Sequence, residues 1–234
     1  MLLLVLLVVA VILVMSMLKK NSAVNEQMDV STETDVATEA NGSPEDLMNL
    51  GNELFVAEVG NYSGKYVEDG SDENVSDVLM MKILNRGEEA IEYAVIELQV
   101  GEKSAEFSVS ALMPGAEAIL LEKNRMPYDA ETDYTKAAVN CLNFARYQYD
   151  LTLQKEKLNI QILDGGVNVT NISEEDIAED ITIYYKNKED EVFLGGITYR
   201  ISFEGGIKSG EIRQKMANHL SKNESEILFV TMTK

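Results

Sequence analysis

Tryptophan is absent from this sequence, and cysteine and histidine occur once each, as Cys141 and His219. A lone cysteine forms no internal disulfide, and one thiol with one imidazole supplies neither a structural zinc cluster nor the usual equipment of nucleophilic catalysis. Basic residues are also scarce. Against 40 Asp and Glu stand 20 Lys and Arg, a formal net charge of −20 in 234 residues. So large an excess of acid repels phosphate backbones, which excludes nucleic acid as a partner. Residues 21–64 contain no Lys or Arg at all, while residues 1–20 carry only Lys19 and Lys20.

Met1 to Leu18 reads MLLLVLLVVAVILVMSML, with Ser16 as its only polar residue. A helix of this run is roughly 27 Å long, about the thickness of a hydrocarbon core. It therefore reads as an uncleaved transmembrane anchor, residues 1–18. A cleaved signal peptide is the competing reading, but it would need a basic n-region and small residues before the cut. Lys19 and Lys20 follow the span and no base precedes it, so the positive-inside rule keeps the body cytoplasmic, whereas later features look extracytoplasmic. A basic stretch upstream of Met1 would reconcile the two.

Residues 19–53 form an expected acidic, disordered linker, too polar and aperiodic to offset its ordering entropy. Ser43-Pro44-Glu45-Asp46 within it has the signature of a short helix start running through Leu47 and Leu50. From about residue 54 the apolar period becomes two. Leu79, Met81 and Ile83 alternate up to the turn at Asn85-Arg86-Gly87, and Ile91–Val100, 105–109 and 118–121 read as further strands. Residues 158–162 and 167–171 flank Asp164-Gly165-Gly166 as a hairpin, followed by strands at 181–185, 197–203 and 227–230. The stretch 126–157 is ambiguous: Ala137, Ala138, Cys141, Leu142 and Ala145 make a helical stripe, and Val139 to Tyr149 suits a strand. We favour a helical turn near 130–137 running into a strand. The fold class is mainly β, with two tandem antiparallel β-sandwich domains at 54–152 and 153–234. Leu79-x-Met81-x-Ile83-x-Asn85 matches Val167-x-Val169-x-Asn171 at a distance of 86 residues, and Pro-Gly-Ala-Glu117 is echoed by Lys-Ser-Gly-Glu211, which points to an internal repeat.

No catalytic, cofactor or metal residue emerges. Cys141 and His219 lie 78 positions apart without a local signature, and read as structural residues. Acidic runs at Glu68-Asp69-Gly70-Ser71-Asp72-Glu73, Glu174-Glu175-Asp176 and Glu179-Asp180 lack the alternating ligand spacing of a calcium loop and read as solvated turns. Neither a phosphate-cradling glycine loop nor a Gly-x-Ser-x-Gly elbow is present. Asn-x-Ser/Thr occurs at Asn41, Asn61, Asn74, Asn168, Asn171 and Asn223; as turn chemistry this needs no glycan.

Val167 to Ser173, Tyr184-Tyr185-Lys186-Asn187, Gly195-Gly196-Ile197-Thr198-Tyr199-Arg200 and Ile227 to Thr231 resemble stretches of uncharacterised membrane-anchored proteins of Gram-positive bacteria. The stretch from Asn85-x-Gly87 to Pro114-Gly115 is similar to immunoglobulin-like adhesion or FxLYD-type modules. The resemblance covers residues 75–234 and implies a cell-envelope location without a known activity. The expectation is a single-pass membrane protein with extracytoplasmic β domains. It would be a non-catalytic binding or assembly module for a protein or cell-envelope ligand, without a cofactor. The alternative is a hydrolase, or an accessory subunit of an envelope enzyme, using paired carboxylates such as Asp164 and Glu204. A cytoplasm-facing module is the third reading.

Overall fold

A computed structural model describes residues 48–234. The expected anchor at 1–18 and all but the last residues of the expected linker lie outside the described residues. Among the described residues no helix is long and apolar enough to cross a membrane. The described chain is mainly β, and its single helical element is a 3-10 turn at Tyr134–Lys136, capped by Asp133.

The first half contributes β1 (Met48–Asn49), β2 (Leu54–Tyr66), β3 (Glu73–Asn85), β4 (Ile91–Val100), β5 (Lys103–Leu112), β6 (Glu117–Leu121) and β7 (Val139–Arg146). The second contributes β8 (Leu158–Leu163), β9 (Gly166–Asn171), β10 (Asp180–Glu189), β11 (Val192–Leu194), β12 (Tyr199–Phe203), β13 (Ile212–Met216) and β14 (Ser225–Thr233). Strands β5-β4-β7 make one three-stranded sheet and β13-β9-β8 another. The third sheet runs β1-β2-β3-β6-β11-β10-β12, with β14 on the other side of β10.

Burial follows alternation. Leu79, Met81 and Ile83 of β3 face Ile96, Leu98 and Phe107 of β4 and β5 in one apolar cluster. Val167 and Val169 of β9 face Ile181, Ile183, Ile201 and Phe203 in a second. Both clusters are closed by facing layers, and β3 is covered on both faces, with Leu79 and Met81 in the first cluster and Val78 and Met80 in a smaller third one.

Three local expectations are corrected or decided. The helix expected from Ser43 through Leu50 does not continue over the described residues; Met48 and Asn49 instead pair with Val56 and Phe55, so order begins within the expected linker. Met48 and Leu50 gain apolar contact against the first cluster in this way, which outweighs the helix-start signal. The helical stripe at 137–145 is strand β7, held by pairing with β4 from Leu98↔Val139 to Ile91↔Arg146. Finally, the two halves are not separate sandwiches in series. One sheet crosses both, joined where β11 runs parallel to β6 through Phe193↔Ala118 and Leu194↔Ile119.

The 86-residue repeat corresponds to a real duplication of local structure. Asn85 and Asn171 each end a strand and are fully buried. Asn85 Oδ1 accepts from Gly87 N, and its Nδ2 donates to the carbonyls of Glu89, Leu112 and Met113. Asn171 Oδ1 accepts from Ser173 N, and its Nδ2 donates to the carbonyls of Glu175 and Ile207. The main chain repeats too: Gly115 N bonds Asn85 O as Gly210 N bonds Asn171 O, and Asn85 N bonds Ala116 O as Asn171 N bonds Glu211 O. Gly115 and Gly210 both take positive φ there, +71° and +73°. The glycines therefore correspond, whereas Glu211 aligns with Ala116 and not with Glu117.

Each asparagine satisfies both a donor-poor and an acceptor-poor edge of its corner. Asn85→Ala and Asn171→Ala should each lower unfolding free energy by about 2–4 kcal/mol in denaturant titrations, because several buried backbone groups lose their partners. Aspartate at either site should not rescue, since it keeps the acceptor and loses the donor.

Candidate functional site

Three places gather polar chemistry. The first is the junction of the two halves. Lys186 on β10 is fully buried, and its Nζ donates to the carbonyls of Gly195 at 3.4 Å, Gly196 at 2.9 Å and Ile197 at 2.6 Å. Glu68, from the loop after β2, accepts from Leu121 N at 3.1 Å and Gly196 N at 2.8 Å. Burial pulls the Lys186 ammonium down to about 7, with the Glu68 charge opposing. Burial pushes the Glu68 carboxyl up, opposed by the amides of Gly196 and Leu121 and by Lys186.

The loop they hold lies directly on the first half. Gly196 O accepts from Ser110 N, Gly195 N donates to Ile119 O, and a Cβ on Gly196 would sit 1.7 Å from Ser108 O. Only glycine permits that approach. These contacts turn the Lys186 ammonium and Glu68 Oε1 onto backbone, so the pair acts as a structural bolt.

The second is the neighbourhood of the single histidine. His219 Nδ1 lies 3.1 Å from Asp72 Oδ2, its ring stacks on Tyr199 at 5.0 Å, and Tyr199 stacks on Tyr185 at 5.2 Å. Cys141 sits elsewhere, on β7 against the first apolar cluster, with its thiol pushed up by burial. Thus the structure does not assemble a thiol–imidazole pair. The run from Glu68 to Glu73 is likewise dispersed: Glu68 points inward, Asp69 and Glu73 bond Arg125 at 2.8 and 2.9 Å, and Asp72 faces His219. Among the described residues no group of three acids, histidines or cysteines is placed to hold a metal ion. Asp164 and Glu204 are exposed on separate turns, where Asp164 caps Lys222 N at 3.4 Å. Asn171 is too buried to accept a glycan, Asn61 and Asn74 are exposed, and Asn41 lies outside the described residues.

The third place is a groove of about 1030 Å³ lined by the connection 149–157, the loop 173–179 and the end of β14. The Asn171 corner shapes the loop, and Asp176 Oδ1 fixes it by accepting from Ser209 N at 2.8 Å. Opposite, Val230 N donates to Thr152 O at 2.8 Å, so β14 already holds a short extended segment on the side away from β10. Backbone groups alternate sides along an antiparallel strand, so if Val230 N points outward, Met232 N and O do as well. Asp150, Glu174, Glu175, Asp176 and Glu179 line the groove, against Lys157 as its only base. At one end Tyr149, 58% exposed, leads into an aromatic series in which Tyr147 meets Phe229 at 5.3 Å and Phe229 stacks on Tyr184 at 4.4 Å. Burial pushes the Tyr147 hydroxyl up to about 12.

Sequence reasoning passed over Glu68 as a member of an acidic run and Lys186 as part of a strand. Alternation in β10 is unbroken: Ile183 and Tyr185 face the second cluster, Tyr184 and Lys186 share the opposite face, and the bulge puts its extra residue, Leu228, on β14, so only the cover that the first half lays over that face buries Lys186.

Lys186→Met should destabilise the chain by about 3–5 kcal/mol, since the carbonyls of Gly195 and Ile197 lose their donor and the half-buried Glu68 carboxylate loses its cation, and adding Glu68→Leu should recover part of that loss. The pH dependence follows from the same pair. Unfolded Lys186 titrates near 10.5 and folded Lys186 near 7, so the unfolded chain binds more protons between them. Stability relative to the double variant should rise as pH increases from about 7 to about 10.5. The upward-shifted Glu68 acts oppositely, and relative stability should fall as pH climbs above the ordinary carboxylate value of 4.5. Chemical denaturation of both proteins across pH 4–10 checks both signs. In comparisons with known proteins, no family model and no curated protein matches this chain.

Proposed function

We propose that this chain is a membrane-anchored, non-catalytic binding or assembly module of the cell envelope, with two related immunoglobulin-like halves on an acidic tether. Its ligand is an extended, basic polypeptide segment taken into the groove beside β14. The observation that carries this reading is the outer edge of β14, where Val230 N already bonds Thr152 O and the next outward amide, Met232 N, opens into the groove. Strand addition gives such a segment main-chain hydrogen bonds, and the five acids with exposed Tyr149 favour Lys and Arg side chains. The apolar run at 1–18 supports the anchor, and the polar, base-free stretch after it supports the tether.

An alternating Lys-Val octapeptide is a suitable probe for the full chain in vesicles. It should bind, with affinity falling as salt rises. Glu175→Lys with Glu179→Lys should weaken binding at least tenfold. Met232→Pro should abolish binding while Met232→Ala, which loses the same apolar contact with the second cluster, should retain it, because the proline removes an outward N–H and no bond to β10. Equal binding by Met232→Pro would overturn strand addition. A membrane-impermeant thiol reagent should label an exposed Ser104→Cys variant in intact cells, and labelling only after lysis would place the β body in the cytoplasm.

A further inference from the structure

The sheet β13-β9-β8 has an outer face of unusual composition. Its register places Ile212, Gln214 and Met216 on the same face as Thr170, Asn168 and Gly166, and these beside Asn159, Gln161 and Leu163. None of these nine residues is charged, in a chain with a net charge of −20. Ile212 and Met216, at 65% and 68% exposed, are the two most exposed large apolar side chains of the described residues.

The backbone of β13 is open on the same side of the molecule. Asn171 N bonds Glu211 O and Ala217 N bonds Gly165 O, so residues 211, 213, 215 and 217 direct their main-chain groups toward β9. By alternation, Ile212, Gln214 and Met216 direct theirs away from it. Arg213 and Lys215, on the inward face, are turned back onto the end of β12. Arg213 donates to the carbonyls of Glu204 and Gly206, and Lys215 to that of Ser202. The cations that would blunt this edge are thus withdrawn from it.

We infer that β13 is a self-association edge, whose partner is the β13 of a second copy of this chain, paired antiparallel about a two-fold axis at Gln214. The pairing is self-complementary, as an isologous interface must be. Gln214 meets Gln214, and an amide carries both donor and acceptor, so the pair needs no charge. Ile212 meets Met216 twice, which covers both exposed apolar side chains. A second copy fits better than a charged partner because this face offers no ion pair, while elsewhere two copies repel through their acids. The nine uncharged residues let the sheets come together without that repulsion. A five-residue edge is far below the roughly 800 Å² per partner of a stable complex, so the association is weak and depends on local concentration. It does not depend on the groove beside β14, which lies on a different strand.

The experiment uses the full chain in vesicles with Cys141→Ser and Gln214→Cys. Mild oxidation should give a covalent dimer through residue 214, and a control cysteine at Ser104 should not. Met216→Lys and Ile212→Glu, added singly, should each reduce that crosslinking at least tenfold with unchanged melting temperature. Raising salt should increase it, because like charges are screened. Crosslinking equal at 104 and 214, or unaffected by Met216→Lys and Ile212→Glu, would overturn the proposal. A chain that stays monomeric and retains a neutral polysaccharide through Gln214 would also overturn it.

Discussion

The burial of one ammonium group at the junction governs how the two halves sit. Lys186 is enclosed completely, and an isolated charge there would be costly, so the surrounding chain must supply partners. Three consecutive carbonyls, from Gly195 to Ile197, and the Glu68 carboxylate do so. Bringing three successive carbonyls to one nitrogen bends the loop, and the bend requires positive φ at Gly195, +80°. The same bend presses Gly196 onto Ser108, next to the place where β11, turned back antiparallel from β10, runs parallel to β6. The buried cation and the sheet junction thus meet at one loop and support each other.

This arrangement changes what the duplication means. Two copies of an asparagine corner, each closing a pair of layers over its own apolar cluster, would by themselves give two independent bodies. The junction departs from the repeat. Lys186, Glu68 and the loop at 195–198 serve the contact between the halves, and a third apolar cluster with Tyr66, Val67, Leu121 and Leu194 surrounds it. The cation–π contact of Arg125 over Tyr66 at 4.5 Å, with Tyr66 donating to Glu122 O, ties that cluster to the acidic turn at 69–73. The acids of that turn are spent on Arg125 and His219, which is why a run that looked like a solvated or chelating loop is in fact a seam.

Much of the fold was legible because strand burial writes itself into alternation. The limits of β4 at Ile91 and Val100, the hairpin around Asp164 and Gly165, and the correspondence of Asn85 with Asn171 all follow from period two and turn chemistry. The joining of the halves was not legible, since β11 is three residues long and pairs with a strand more than seventy positions earlier, leaving no local trace. The groove escaped for a similar reason. Its acids at 174–179 belong to a turn that reads as solvated, and only the fold sets them opposite Thr152 and β14.

Charge distribution links the remaining surfaces. The groove concentrates acid around the outer edge of β14, and a field of that sign disfavours another copy of this acidic chain and favours the proposed basic segment. The β13 edge has the opposite design, uncharged and with its two cations turned inward against β12. A chain carrying many like charges can tolerate two open edges only if each rejects the wrong strand, and these two differ in the property that sorts them. For the two proposed contacts, electrostatic repulsion, which at first only excluded partners, would separate binding of a foreign strand from pairing of the chain with itself.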